Sequence, residues 1–176
     1  VIARWLADRK DIDPKRIAVL GHGQGAWVAQ LAAARERKIA ALVSVNSPST
    51  TGADLALEQQ QRMLDRLQLP AAERQQRVTL QKQIQNAVLT GKGWEGVPPD
   101  VRRQADTPLF RSWLLYDPAV AMRKVGQPVL IVHGDLDREV PVEHADLLEK
   151  ILVGQMKKFF NQSGLVLLHN TYKRTD

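Results

Sequence analysis

Short apolar runs alternating with helical periodicities organise this chain. Arg16 to Leu20 is the first run and reads as a strand. Behind it, Gln24 to Arg37 sets Trp27, Val28, Leu31 and Ala32 on one side, the recurrence of an amphipathic helix. Ile39 to Val45 is continuously apolar, as expected of a strand covered on both faces of a parallel sheet. Pro128 to His133 and Leu165 to Leu168 are two further strand candidates, separated by a helical stretch from Val142 to about Phe160 that Gly154 weakens in its middle. Residues 1–10 predict a helix whose buried face is Val1, Ile2, Trp5 and Leu6. That helix is already under way at Val1, so the chain is expected to lack its true start. Asp11 to Pro14, Asn46 to Gly52 and Asn161 to Gly164 carry turn chemistry. Strand–helix alternation of this kind predicts an α/β fold built on a parallel sheet.

Residues 53–115 break the alternation. They are rich in Gln, Arg, Leu and Ala and contain no strand-like run. Leu55, Leu57, Met63, Leu64, Leu67, Val78, Leu80, Ile84 and Val88 predict two or three amphipathic helices. Pro70 fits a first-turn proline and Gly91-Lys92-Gly93 a helix stop. The expectation is a helical insertion without a core of its own, set between 1–52 and 116–176.

Composition narrows the class only moderately. A chain of 176 residues, 44% hydrophobic and 25% charged, is long enough to bury one ordinary core. No apolar run reaches membrane-span length. With no cysteine, neither disulfides nor thiolate metal sites are possible, and the four histidines lack metal-ligand spacing, so no cofactor or metal is expected. The net charge of +6 raises the possibility of a nucleic-acid partner, but the cations are dispersed and no basic stripe interleaves with aromatics. Trp5, Trp27, Trp94 and Trp113 read as core or pocket lining. Compartment and oligomeric state leave no mark on the sequence.

The chemistry lies in two loops. Gly21-His22-Gly23-Gln24-Gly25 joins the first strand to the first strong helix. It is the frame of a nucleophile elbow, G-x-S-x-G, with glycine in the serine position. Flanking glycines are expected where backbone segments approach too closely for a Cβ. A phosphate-binding turn fits worse, because neither G-x-G-x-x-G nor a following lysine is present. Downstream, Val129 to His133 delivers Gly134-Asp135-Leu136-Asp137-Arg138-Glu139-Val140-Pro141. A carboxylate there suits the acid of a triad, and Asp137, further past the strand, suits it better than Asp135. The order nucleophile–acid–histidine points to His169 as base. His144 lies too soon after the acid to reach back over the sheet, while His22 reads as a packing residue and His133 as a strand-end residue.

These residues carry a resemblance. The stretch from Asp11 to Gly25 resembles the elbow region of the α/β-hydrolase superfamily, and most of all the bacterial serine esterase and serine aminopeptidase-like hydrolases, which often read G-H-S-x-G. Residues 53–115 resemble their cap, and Pro128 to Pro141 their acid-bearing strand and loop. The resemblance covers roughly residues 1–150 and implies a partial α/β-hydrolase fold. It makes Gly23 the nucleophile seat, Asp137 the triad acid, His169 the base, and the Gln24 backbone N–H an oxyanion donor. It implies a small-molecule acyl substrate such as a carboxylic ester. Three departures follow. Gly23 replaces the serine, the half of the fold that supplies the second oxyanion donor is not in the chain, and the tail after about Ile151 does not follow the family. The chain is therefore expected to be inactive as given, or to be a pseudohydrolase that binds a ligand or partner.

Overall fold

In a computed structural model, residues 2–159 and 168–172 are described, with backbone alone for 155–159 and 168–172. The chain divides into two compact units, Val1–Ser49 with Pro118–Asp176, and Thr50–Asp117.

The first unit holds a four-stranded parallel sheet in the order β1 (Ala18–His22), β2 (Ala41–Val45), β3 (Val129–Gly134) and β4 (Leu168–Tyr172). Each strand starts one or two residues later than its apolar run predicts, and β4 starts three later. Residues 165–167 and the turn at 161–164 lie outside the described residues. Helices α1 (Ile2–Ala7), α2 (Gln24–Arg35), α7 (Pro118–Met122) and α8 (Glu143–Phe159) complete the unit. Its core joins Ala29 and Ala33 of α2, Leu42 of β2, Val129 and Ile131 of β3, and Leu148 and Leu152 of α8. Burial on β2 alternates, with Leu42 and Ser44 fully buried and their neighbours half-buried.

One expectation about the start of the chain is overturned. Ile2 and Trp5 are exposed, and α1 buries none of its residues. Ala3 of this helix packs against the core of the unit, Arg4 Nε donates to Glu36 at 2.6 Å, and Arg9 stacks over the Trp5 ring. Amphipathic spacing showed which residues share a face but not whether a neighbour covers it.

The second unit is wholly helical among the described residues: α3 (Gly52–Arg66), α4 (Ala71–Thr90), α5 (Pro99–Ala105) and α6 (Pro108–Leu114). Contrary to the expectation of an insertion without its own core, it buries Ile84, Ala87, Val88, Trp94, Val97 and Leu114 together. Its boundaries are chemically marked. Thr51 caps α3 and Thr107 caps α6. Pro99 and Pro108 sit in first turns, and Gly91 ends α4 in the left-handed region at φ 76°. Pro70 stands at the N-cap of α4, just outside the first turn. Gly52 is required by close approach, because a Cβ there would stand 1.9 Å from the Trp113 carbonyl oxygen.

Candidate functional site

In an open parallel sheet, ligands gather at the carboxyl ends of the strands. Here the register brings three such ends level. The Gly23 N–H donates to Val45 O at 2.9 Å and the Asn46 N–H to Val132 O at 2.8 Å. The residues just after β1, β2 and β3 therefore share one edge.

After β1 the chain turns sharply into α2. Gly23 sits at the turn with φ 56° and ψ −126°, a conformation that side-chain-bearing residues adopt only under strain. A Cβ built at Gly23 meets nothing within 4 Å. The backbone thus keeps a strained, open position where an elbow carries its serine, and no side chain stands there. The flanking glycines differ. A Cβ at Gly21 would lie 2.3 Å from the Gly25 carbonyl oxygen and 2.5 Å from Ala26 Cα, whereas one at Gly25 meets nothing within 4 Å. Close approach explains Gly21 only, and the expectation for Gly25 is corrected. His22 is exposed, not packed. Gln24 opens α2, so its N–H is among those a helix leaves without an internal acceptor.

After β3, Asp137 folds back on its own loop. Its Oδ1 accepts from the Glu139 N–H at 2.8 Å and the Val140 N–H at 2.9 Å. Its Oδ2 accepts from the Asn46 side-chain amide, and Asn46 Oδ1 in turn accepts from the Gly134 N–H at 3.4 Å. Burial pushes the carboxyl upward, but donation from Val140, Asn46 and Glu139 and the attraction of His133 outweigh it, leaving its pKa below the ordinary carboxylate value. Asp137 is therefore a fixed anion at neutral pH. His133 ends its strand as expected and is buried, with Nε2 donating to Val140 O at 2.6 Å.

The loop after β2 was not singled out by sequence reasoning. Its first four residues, Asn46 to Ser49, each meet a different side chain. Asn46, at a positive φ of 46°, meets Asp137. Ser47 Oγ accepts from Gln30 Nε2 at 2.9 Å, and the Pro48 carbonyl accepts from Trp27 Nε1 at 2.9 Å. Ser49 points both its N–H (3.0 Å) and its hydroxyl (2.9 Å) at His144 Nδ1. Accepting that N–H requires an unprotonated Nδ1. His144, in the first turn of α8, does reach the loop that follows β2, against expectation. Ser49 and His144 form a serine–histidine contact, and both are buried. The available signal was positional: both follow the carboxyl ends of adjacent strands.

The edge therefore gathers Gly23, Gln24, Asn46 and Asp137. His169 is placed by backbone alone. It pairs with Ile131, two residues before the register position opposite His133, so it starts below the edge. Its side chain lies outside the described residues. Among the described residues, no group of three or more His, Asp or Glu side chains could hold a metal ion, and no helix is long and apolar enough to cross a membrane.

A model of the alpha/beta hydrolase family matches residues 1–171. Similar solved structures include an acylaminoacyl peptidase from Pyrococcus horikoshii (TM-score 0.54, 16% identity, covering 99% of this chain and 22% of that one). A puromycin-hydrolyzing peptidase from Mycobacterium tuberculosis gives 0.54 and 17%, covering 97% of this chain and 20% of that one. A Pyrococcus furiosus esterase gives 0.53 and 17%, covering 96% and 49%. At these identities the likeness speaks for the fold. The chain thus spans between a fifth and a half of these proteins. No curated protein matches it.

Proposed function

The chain belongs to the alpha/beta hydrolase family, and from that premise we propose that its edge site descends from a serine-hydrolase site for carboxylic esters or similar acyl compounds and no longer forms an acyl-enzyme. The observation that carries this reading is Gly23, which holds a strained elbow conformation at φ 56° without any nucleophilic atom. The rest of the proposed machinery follows the family's roles. Asp137 is the acid, His169 the base, and the Gln24 N–H one oxyanion donor. Loss of a serine-hydrolase nucleophile costs about a millionfold in turnover.

Turnover of p-nitrophenyl acetate by the unchanged chain and by Gly23→Ser tests this, alongside labelling by a fluorophosphonate and mass mapping of the adduct. The unchanged chain is expected to give no burst and no label at the turn. Gly23→Ser is expected to gain a fluorophosphonate adduct at position 23, since a Cβ there meets nothing within 4 Å. A stoichiometric burst from the unchanged chain would refute the reading.

A second reading, a pseudohydrolase that binds a ligand or partner, has one observation in its favour. Both Asp137 oxygens already accept hydrogen bonds from the protein, from Asn46, Glu139 and Val140. An acid so engaged serves as a structural anion and does not need a histidine. If Gly23→Ser folds but gains neither burst nor label, this second reading leads.

A further inference from the structure

His133 has no part in the roles assigned above, yet it is the least expected residue in its place. β3 alternates, and its buried face is Val129, Ile131 and His133. The first two belong to the apolar core of the unit. The third is an imidazole at 1% exposure. Burying a polar ring is unfavourable unless its nitrogens are bonded. Nε2 is bonded, to Val140 O at 2.6 Å. A carbonyl only accepts, so Nε2 is the nitrogen that carries hydrogen. Nδ1 is buried without a hydrogen-bond partner among the described residues. A valine or isoleucine here would leave no such atom unsatisfied, so the single bond that His133 makes calls for an explanation.

That bond falls at a particular point of the chain. No residue from Gly134 to Glu139 is buried, so the acid loop has no apolar anchor of its own before Val140. Val140 is gripped from two sides. Its N–H donates to Asp137 Oδ1 at 2.9 Å, and its C=O accepts from His133. The Glu139 N–H donates to the same carboxylate oxygen at 2.8 Å, and the Asp137 N–H closes a turn onto Gly134 O at 3.1 Å. Two hydrogen bonds therefore lead from the end of β3, through the Val140 backbone, to the carboxylate. Asn46 reaches the other oxygen from the end of β2.

We propose that His133 is a positioning residue for Asp137: it fastens the Val140 backbone to the end of β3 and so keeps the Glu139 and Val140 N–H groups aimed at Oδ1. The acid role of Asp137 rests on the hydrolase reading, whereas the hold on its carboxylate does not.

His133→Gln and His133→Leu are the test pair, in the full chain. Both remove the imidazole and any charge on it. The glutamine amide nitrogen can stand where Nε2 stands and donate, and leucine cannot donate. Amide hydrogen exchange is followed residue by residue by NMR. In His133→Leu the Glu139 and Val140 amides are expected to exchange about tenfold faster, the effect of losing one hydrogen bond. The Leu42 amide, which donates to Pro128 O at 3.0 Å, is expected not to follow. The Asp137 carboxyl, read from its carbon-13 shift, is expected to titrate closer to the ordinary value of about 3.9 in this variant. His133→Gln should keep both properties of the unchanged chain. Equal behaviour of the two variants would overturn the proposal, since charge or volume would then explain the residue. Acceleration at Leu42 as large as at Val140 would do the same, because the whole unit and not the loop would have loosened. One measurement needs no variant, and decides the matter even where leucine prevents folding. Nitrogen-15 shifts of the unchanged chain should report hydrogen on Nε2, and hydrogen on Nδ1 instead would refute the geometry. None of these readouts involves position 23, so a missing label in Gly23→Ser counts against the hydrolase reading and not against this one.

Discussion

The two flanking glycines of the turn look interchangeable in sequence and are predicted to behave in opposite ways. In Gly21→Ala the new methyl would stand 2.3 Å from Gly25 O, 2.5 Å from Gly25 C and 2.5 Å from Ala26 Cα. All three are backbone atoms of the turn and of the first turn of α2, so no side chain can swing aside. Overpacking of this kind costs about 1–3 kcal/mol, and a purely backbone clash belongs at the upper end, about 3 kcal/mol. In Gly25→Ala the methyl meets nothing within 4 Å, and the residue lies inside α2 without a positive φ. Alanine there should stabilise by roughly 0.5–1 kcal/mol through lower backbone entropy in the unfolded chain. For a chain of this length each kcal/mol moves the melting temperature by about 2–4 °C. Scanning calorimetry should therefore show Gly21→Ala lowered by roughly 6–12 °C and Gly25→Ala raised by about 1–4 °C. Equal destabilisation by both alanines would refute the reasoning, because the motif alone, and not the contact geometry, would then explain the glycines.

Two further outcomes follow from the structure. Asp137 has a folded pKa below its ordinary value, so its contribution is complete above the unfolded value of about 3.9 and is lost as pH falls through the folded one. Acid titration of stability should accordingly be shallower in Asp137→Asn than in the unchanged chain, and identical acid limbs would contradict the assignment of its hydrogen bonds. Leu20 lies on β1, an edge strand among the described residues, and is 66% exposed. Leu20→Lys should reduce concentration-dependent association in light scattering, since a charge on an open edge discourages strand pairing; unchanged association would place the sticky surface elsewhere.

Much of the fold was legible because the strands of a parallel sheet are short apolar runs and turns are rich in glycine and proline. Strand-to-helix order and the glycine turn at residues 21–25 followed from local chemistry. What escaped was decided by neighbours distant in sequence. Ile2 and Trp5 repeat like a buried face, yet both are exposed. Trp94 and Leu114 lie twenty residues apart and close a core that periodicity along one helix cannot reveal. In the site, Asp137 stood out because a carboxylate follows a strand. Asn46, Ser49 and His144 did not, because their roles arise only when β2 and β3 align and bring residues 91 and 95 positions apart into contact. A polar loop residue bound to a distant side chain has the same local signature as one bound to water.

Those same long-range contacts bear on how freely the molecule could be remodelled. The ties Asn46–Asp137 and Ser49–His144 staple the two chain segments of the first unit, and all of Thr50–Asp117 is looped out between them. The looped-out module brings its own ends together, Gly52 N–H donating to Tyr116 O at 3.1 Å. The entropy of closing a loop rises only logarithmically, so doubling its length costs about 0.6 kcal/mol. The sheet unit is therefore nearly indifferent to the length of what hangs between residues 49 and 118, provided the two ends still meet. On chain entropy alone, a longer or shorter module between those two ties would cost the sheet unit little.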